Sequence, residues 1–310
     1  MRKRKRRKKR TLLKGLLITF AIIIFGLGAY GYSIYQSLNN AVTKMHSPLD
    51  RDQSEKREKS LQLNGAEPFS VLLLGVDTDE GKRGRTDSMV LLTVNGKEKS
   101  VQMLSIPRDM RTHIVGKGID DKVNHAYAFG GVEMTLATVE EMLNVPIDYF
   151  IEIDMKGFKD MVNAVGGITV NNDMAFTVDA NRFEKGTIHL NGDEALAFAR
   201  MRKEDPRGDF GRQLRQREII SGIIDKGASV SSLWNYRDIF TALGNNIKTN
   251  LSFEEMVDIQ KHYKDTRHQI NQIEIEGNGQ RINGIYYYIV SDEERRQLSE
   301  QLRNHLELAL

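Results

Sequence analysis

The sequence predicts an α/β domain of three layers, α-β-α, held outside a membrane by one N-terminal transmembrane helix. Three observations carry this. Strand-like and helix-like stretches alternate from Phe69 to the C-terminus without a repeat period. A single uncharged run, Gly15 to Gln36, is about long enough to cross a hydrocarbon core. Roughly 270 residues follow it, enough for one large domain with its own core, and no boundary inside them stands out. The 310 residues include no cysteine. Disulfide staples are therefore excluded, and any metal site must use oxygen or nitrogen ligands.

The elements follow in chain order. The N-terminus, "MRKRKRRKKR", places nine consecutive positive charges before the run "GLLITFAIIIFGLGAYGYSIYQ". Basic residues stay on the cytoplasmic side, so residues 1–14 form a cytoplasmic tail and 15–36 the span. Lys14 can snorkel to one interface, and Tyr30, Tyr32 and Tyr35 form an aromatic belt at the other. A cleaved signal peptide would need a small-x-small site, whereas "GLGAYG" runs into tyrosines. Beside a membrane span, the basic tail reads as an orientation signal rather than a nucleic-acid contact. Ten of the 45 Lys and Arg residues lie before residue 36, with no acidic residue among them. The remainder carries 35 basic against 42 acidic residues, so the outer part is acidic at −7 although the whole chain is +3. Arginines gathered in a few places on an acidic domain point to a defined anionic pocket, not to general polyanion binding.

Residues 37–68, with "DRDQSEKREKS" at their centre, read as a polar extracellular stalk with no core of its own. The domain, 69–310, opens with "FSVLLLGVD", a short apolar run expected of a strand buried on both faces. "SMVLLTV" and "KSVQMLSI" are strands joined by the turn "NGKE". In "GVEMTLATVEEML", Val132, Leu136, Val139 and Leu143 share one side of a helix. "DYFIEID" is a strand, and "MKGFKDMVNAVGG" a helix closed by glycine. Further helices are predicted around Gln213–Lys226, Ser232–Leu243 and Phe253–Asp265. "HQINQIEIE" and "IYYYIV" are strands, and "SDEERRQLSEQLRNHLEL" is a closing helix capped by Ser291 or Asp292.

Three islands of polar residues sit where strands end. In "LLLGVDTDEGKRGRTDS", a glycine-rich loop brings Asp77 back toward Asp87. Two carboxylates suit magnesium, which keeps its waters and takes one or two carboxylates plus substrate phosphate. The same residues also serve as ordinary turn formers. In "SIPRDMR", Arg108 projects from a strand exit stiffened by Pro107, with Asp109 in reach as a local ion pair. The third island, "ARMRKEDPRGDFGRQLRQRE", holds six arginines. The helix "NGDEALAFA" should end near Ala199, so that Arg200 and Arg202 share a face of an extended segment. Asp209 is placed to cap the next helix, and Arg212 and Gln216, four apart, share its face with Arg215 nearby. A helix start attracts anions. Arg207 and Arg217 read as solvated and salt-bridged. For Arg200 and Arg202 the choice of arginine over lysine points to a planar fork gripping phosphate or carboxylate oxygens. Together the islands fit a diphosphate with a bridging metal. No Walker "GxxxxGK[ST]" loop, kinase signature, "GxSxG" elbow or "HExxH" pair is present. His125 in "KVNHAYAFGG" reads as a capping or packing residue.

Taken in order, "LLLGVD…GRTDS", "SIPRD", "KVNHAYAFGG", "VGGI" and "ALAFARMRKEDPRGDFGRQLRQRE" resemble the LytR–CpsA–Psr family. The likeness runs from about Phe69 to Val290 and is strongest to the teichoic acid transferases of Gram-positive bacteria. The resemblance implies a central mixed sheet between helices and an apolar tunnel for a prenyl chain, for which Phe150, Ile153, Phe158 and Val162 are offered as lining or as plain core. It implies transfer of a glycopolymer of the wall teichoic acid type from an undecaprenyl diphosphate carrier to the N-acetylmuramic acid 6-hydroxyl of peptidoglycan, with a phosphodiester formed. It places Asp77 and Asp87 at a magnesium ion and Arg85, Arg108, Arg200 and Arg202 on the diphosphate. Asp209 and Gln216 complete the site, with Arg212 beside them. Either Asp87 or Asp209 takes the proton of the sugar hydroxyl. The partners implied are the lipid-linked polymer, peptidoglycan and the membrane, and no nucleic acid. Two rival functions use the same features: a lipid diphosphate hydrolase with water as acceptor, and a membrane-bound regulator of envelope gene expression.

Overall fold

The computed structural model describes residues 25, 29–33, 35–77, 84–229 and 246–309. The basic tail, most of the expected span and the expected helix Ser232–Leu243 lie outside these described residues. Among the described residues no helix is long and apolar enough to cross a membrane.

The strands and helices follow in chain order. Strands β1 (Phe69–Asp77), β2 (Arg85–Asn95) and β3 (Ser100–Ser105) form a meander. The hairpin β4 (Arg111–Ile114) and β5 (Ile119–Lys122) leads into helix α1 (His125–Leu143). Next come β6 (Tyr149–Ile153), α2 (Met155–Ala164), β7 (Ile168–Asn172), β8 (Phe176–Val178), β9 (Asn181–Phe183) and β10 (Gly186–Leu190). Helices α3 (Gly192–Arg200) and α4 (Asp209–Ser229) carry most of the arginine island. The chain ends with β11 (Ile247–Thr249), α5 (Phe253–Tyr263), β12 (Ile270–Ile273), β13 (Asn278–Ile282), β14 (Ile285–Ile289) and α6 (Asp292–His305).

The central sheet has six strands in the order β11-β6-β1-β2-β3-β12. The β1–β6 and β3–β12 pairs are parallel and the other three antiparallel, so the sheet is mixed. Its side chains divide by the period of two. Leu72, Leu74, Met89, Leu91, Leu104 and Phe150 face one layer, where Leu136, Val139 and Leu143 of α1 and Leu298 and Leu302 of α6 cover them. Val71, Val90, Leu92, Val101, Met103 and Tyr149 face the other layer, where Ile220 and Ile224 of α4 and Met256 and Ile259 of α5 pack. The predicted three layers are thus present. Of the two predicted caps for α6, Ser291 is the one used: its hydroxyl accepts from the Glu294 N–H.

Residues 37–68 correct the expectation of a free stalk. Residues 35–45 are helical, and Val42 and Met45 pack on Ile247 at the sheet edge. Leu63 joins the cluster of Phe69 and Tyr263. Arg57 forks both oxygens of Asp148 at 2.6 Å, and both side chains are 8% exposed. The segment has no core of its own because it borrows the domain's, through partners too distant in sequence to be read locally.

Candidate active site

The site forms where β1 and β2 end. Their register shifts between Gly75, opposite Ser88, and Val76, opposite Thr86. Asp87 is left as the extra residue of a β-bulge, a device that re-aims a side chain beside functional sites. Asp77 pairs with Arg85 at the last register position, and both are exposed. Asp77 and Asp87 line the same cavity.

That cavity measures about 450 Å³, within the usual range for ligand pockets. Its floor is the sheet: Leu73 and Gly75 of β1, Ser88, Val90 and Leu92 of β2, and Ile151 and Ile153 of β6. Its walls are Phe158 and Met161 of α2, Leu196 and Ala199 of α3, and Ile220, Ile223 and Ile224 of α4. From Ser88 to Leu92 the floor runs about 13 Å at the usual strand rise. The polar groups gather at one end of it: Asp77, Asp87, Arg200, Arg212 and Gln216. Of the four residues offered as tunnel lining, Ile153 and Phe158 are in the wall. Phe150 and Val162 are corrected to plain core, Phe150 because the strand period turns it to the α1 face.

The remaining site residues stand just behind. Arg108 donates from NH1 to Asp87 Oδ1 at 2.7 Å and lies 3.7 Å from Asp109. Burial pulls the Arg108 guanidinium down, but the hydrogen bond and charge of Asp87, with Asp209 and Asp109 beyond, leave it above its ordinary value. Arg212 donates to the Asp87 carbonyl at 3.3 Å and sits 2.9 Å from Asp209. Burial pulls Arg212 below its ordinary value; Asp209 opposes this, and the charges of Arg108 and Arg202 add to it. Arg108 and Arg202 thus stand close enough to Arg212 for their charges to act on it. The buried Nε of Arg212 has no hydrogen-bond partner among the described residues. Arg200 and Arg202 are exposed, at the end of α3 and just past it. Gln216 accepts from the Ser88 hydroxyl at 3.0 Å, which leaves its amide N–H groups for the cavity. His125 sits 2.7 Å from Asp121 and against the ring of Phe129, consistent with a packing residue.

One arginine departs from expectation. Arg217, read as solvated, is 2% exposed and donates to Gln272, Ser105 and Glu274. It clamps α4 to β3 and to the segment at β12. Arg207, just before α4, is exposed and salt-bridged as expected, to Asp173 and Asp205. Asp205 was missed altogether. Its side chain is fully buried and also accepts from Arg215 at 2.6 Å. Gly211 leaves room for it, since a Cβ there would lie 1.9 Å from the carboxylate. Gly208, at φ +60, turns the chain between them. The local signal was "DPRGDFG", which was read for its turn but not for a buried acid.

The arrangement matches known proteins closely. A family model described as LytR_cpsA_psr matches residues 32–304. The chain belongs to the LytR–CpsA–Psr family. It is 51% identical over 301 residues to the polyisoprenyl-teichoic acid–peptidoglycan teichoic acid transferase TagU of Bacillus cereus, covering 97% of this chain and 99% of that one. The crystal structure of B. subtilis TagU superposes with a TM-score of 0.65 at 50% identity, covering 79% of this chain and 99% of that one. A family structure described as YwtF (TagT) with bound octaprenyl pyrophosphate lipid gives a TM-score of 0.69 at 34% identity, covering 85% of this chain and all of that one. The family match begins at residue 32 and so takes in the docked segment before the domain.

This LytR–CpsA–Psr member has a donor set that fits magnesium. Among the described residues no group of three or more His, Cys, Asp or Glu is placed to hold a metal ion. Magnesium, however, needs only one or two carboxylates when a substrate phosphate supplies the rest. Asp77 and Asp87 on one cavity, with hard oxygen donors only, meet that requirement.

Proposed function

We propose that this chain transfers an anionic glycopolymer of the wall teichoic acid type from undecaprenyl diphosphate to the N-acetylmuramic acid 6-hydroxyl of peptidoglycan. The lipid phosphate leaves and a phosphodiester is made. One observation carries the reading: an apolar cavity ends in Arg200 and Arg212, with Arg108 and Arg202 close by. A prenyl chain fits the first part and a diphosphate the second.

Phosphoryl transfer is chiefly positioning and charge compensation. Arg200, Arg202 and Arg212 grip the diphosphate, with Arg85 at the strand end. Arg108, oriented by Asp87, meets the departing charge from the opposite side. Gln216, held by Ser88, donates to a phosphate oxygen. Asp77 and Asp87 would hold magnesium, which would supply further charge neutralisation. Asp87 would then serve both Arg108 and the metal, so the general base is assigned to Asp209, which has Arg212 as its ion-pair partner, at the start of α4 outside the apolar cavity. The basic tail and the run Gly15–Gln36 anchor the domain on the outer leaflet, where the lipid carrier is met.

The test is a transfer assay with purified full-length protein, a lipid diphosphate-linked donor and peptidoglycan glycan. Wall-linked phosphodiester is the expected product. Free polymer phosphate alone would make the chain a hydrolase, and no turnover beside altered envelope gene expression would make it a regulator.

A further inference from the structure

The hairpin of β13 and β14 carries an aromatic face with no role in the account so far. Gly279 lies on β13 with Gly277 just before it, and Tyr286 and Tyr288 alternate on β14. A Cβ at Gly277 would lie 2.8 Å from the Tyr288 ring, and one at Gly279 would lie 2.7 Å from the Tyr286 ring. Each tyrosine is thus laid across a glycine, which only a residue without a side chain permits. Tyr288 is buried at the centre, with its hydroxyl on the Ile275 carbonyl. Tyr286 stays 43% exposed. The ring of Phe210, also 43% exposed, meets Tyr288 edge-on at 5.5 Å. Two exposed rings therefore flank a buried one.

The position of this face gives it meaning. Phe210 directly follows Asp209 on the first turn of α4. The Tyr288 N–H donates to the Asp109 carbonyl at 2.8 Å, one residue past Arg108. The platform therefore bridges the two loops that hold the candidate base and the candidate arginine. Neither Phe210 nor Arg108 lines the apolar cavity.

We infer that Phe210, with Tyr286 and Tyr288, is a stacking platform for an uncharged N-acetylglucosamine ring of the acceptor glycan. This rests on the transferase reading and names its acceptor subsite. Phe210 follows Asp209, with their Cα atoms ~3.8 Å apart, so a ring stacked on Phe210 sets the 6-hydroxyl of the adjoining N-acetylmuramic acid beside the base. A pyranose offers an apolar face to such rings and hydroxyls at its rim. The lipid has its own apolar cavity. The anionic polymer is disfavoured because Asp109, and Asp120 and Asp121 of the neighbouring hairpin, already engage Lys122, Arg111 and His125. Carboxylates paired within the protein suit a neutral ligand better than an anion.

The experiment uses the full chain in detergent, a lipid diphosphate-linked donor, and a soluble glycan of alternating N-acetylglucosamine and N-acetylmuramic acid. Donor and acceptor KM are measured separately for wild type, Phe210→Ala, Phe210→Trp and Tyr286→Ala, with the unfolding midpoint of each as a fold check. Binding of the glycan alone is followed by saturation-transfer NMR. Phe210→Ala should raise the acceptor KM about 10-fold, as for loss of an aromatic contact near 1.4 kcal/mol, and leave the donor KM unchanged. Phe210→Trp should bind like wild type. An unchanged acceptor KM in both Phe210→Ala and Tyr286→Ala overturns the inference while leaving the transferase reading intact. An equal rise in donor KM also overturns it. Phe210-dependent glycan binding without any transfer by wild type would instead sink the transferase reading and keep the platform.

Discussion

Twenty residues, Ala199 to Glu218, contain two kinds of arginine. Arg207, Arg215 and Arg217 are committed within the protein. The first two close on the buried Asp205, and the third ties α4 to Ser105, Gln272 and Glu274. Arg200 and Arg212 line the cavity with Arg202 near Arg212, and among the described residues neither Arg200 nor Arg202 makes an ion pair. The chemistry of the side chain is the same in both sets. What differs is whether a carboxylate is supplied by the fold or must come with a ligand. A charge compensated inside holds the frame; a charge left over recognises an anion.

That contrast can be broken most severely at Asp205. Asp205→Ala leaves Arg215 buried without its carboxylate and should cost about 3–5 kcal/mol of stability. The unfolding midpoint in urea reads this directly. A midpoint like that of wild type would show that the buried pair is dispensable.

The free set should behave in the opposite way. Arg200→Ala and Arg202→Ala should each lower transfer by roughly 10- to 100-fold, the value of one charge-assisted hydrogen bond, while stability stays within about 0.5 kcal/mol. Arg200→Lys should not recover the rate, because the charge remains but the fork is gone. Steady-state rates beside urea midpoints separate the two arginine sets.

A smaller effect is expected at Arg217. Arg217→Met keeps the volume and removes the charge, leaving Ser105 and Gln272 without a donor. A loss of about 1–3 kcal/mol is expected, with near-normal transfer by the folded fraction. Normal stability with lost transfer would move Arg217 into the other set.

The smallest effect is on pH dependence. The hydrogen bond from Arg207, and then that from Arg215, hold the Asp205 carboxyl well below the usual carboxylate range against the opposing effect of burial. A depressed folded value adds stability above the unfolded value, near ~4, and that stability is lost as pH falls through the folded value. Stability should therefore fall more steeply below about pH 4 in wild type than in Asp205→Asn. Parallel curves would remove Asp205 from the account.

Much of this was legible in the chain. The buried strand "FSVLLLGVD", the "NGKE" hairpin and the capped helix after Ser291 depend on local pattern, and all three are present. The candidate site residues stand out because arginines and aspartates at strand ends have few other reasons to be there, and the fold brings Asp77, Asp87, Arg200, Arg212 and Gln216 to one cavity. What sequence did not reveal depends on distant partners. Arg57 finds Asp148 across 91 positions, and Arg217 finds Glu274 across 57. Nothing beside either arginine announces the partner. Phe150 is different: offered as tunnel lining or as plain core, it is plain core, because the strand period puts it on the opposite face from Ile151 and Ile153.

The central claim is that the cavity and the uncompensated arginines form one site for a polyprenyl diphosphate. The most direct measurement is the lipid content and lipid affinity of purified wild type and the Arg200→Ala, Arg202→Ala double variant, read by extraction and mass spectrometry and by titration with polyprenyl diphosphate and monophosphate. The account predicts that wild type prefers the diphosphate, and that the double variant loses this preference while unfolding at the wild-type midpoint. Equal binding of both lipids by wild type, or an unchanged preference in the double variant, would contradict it.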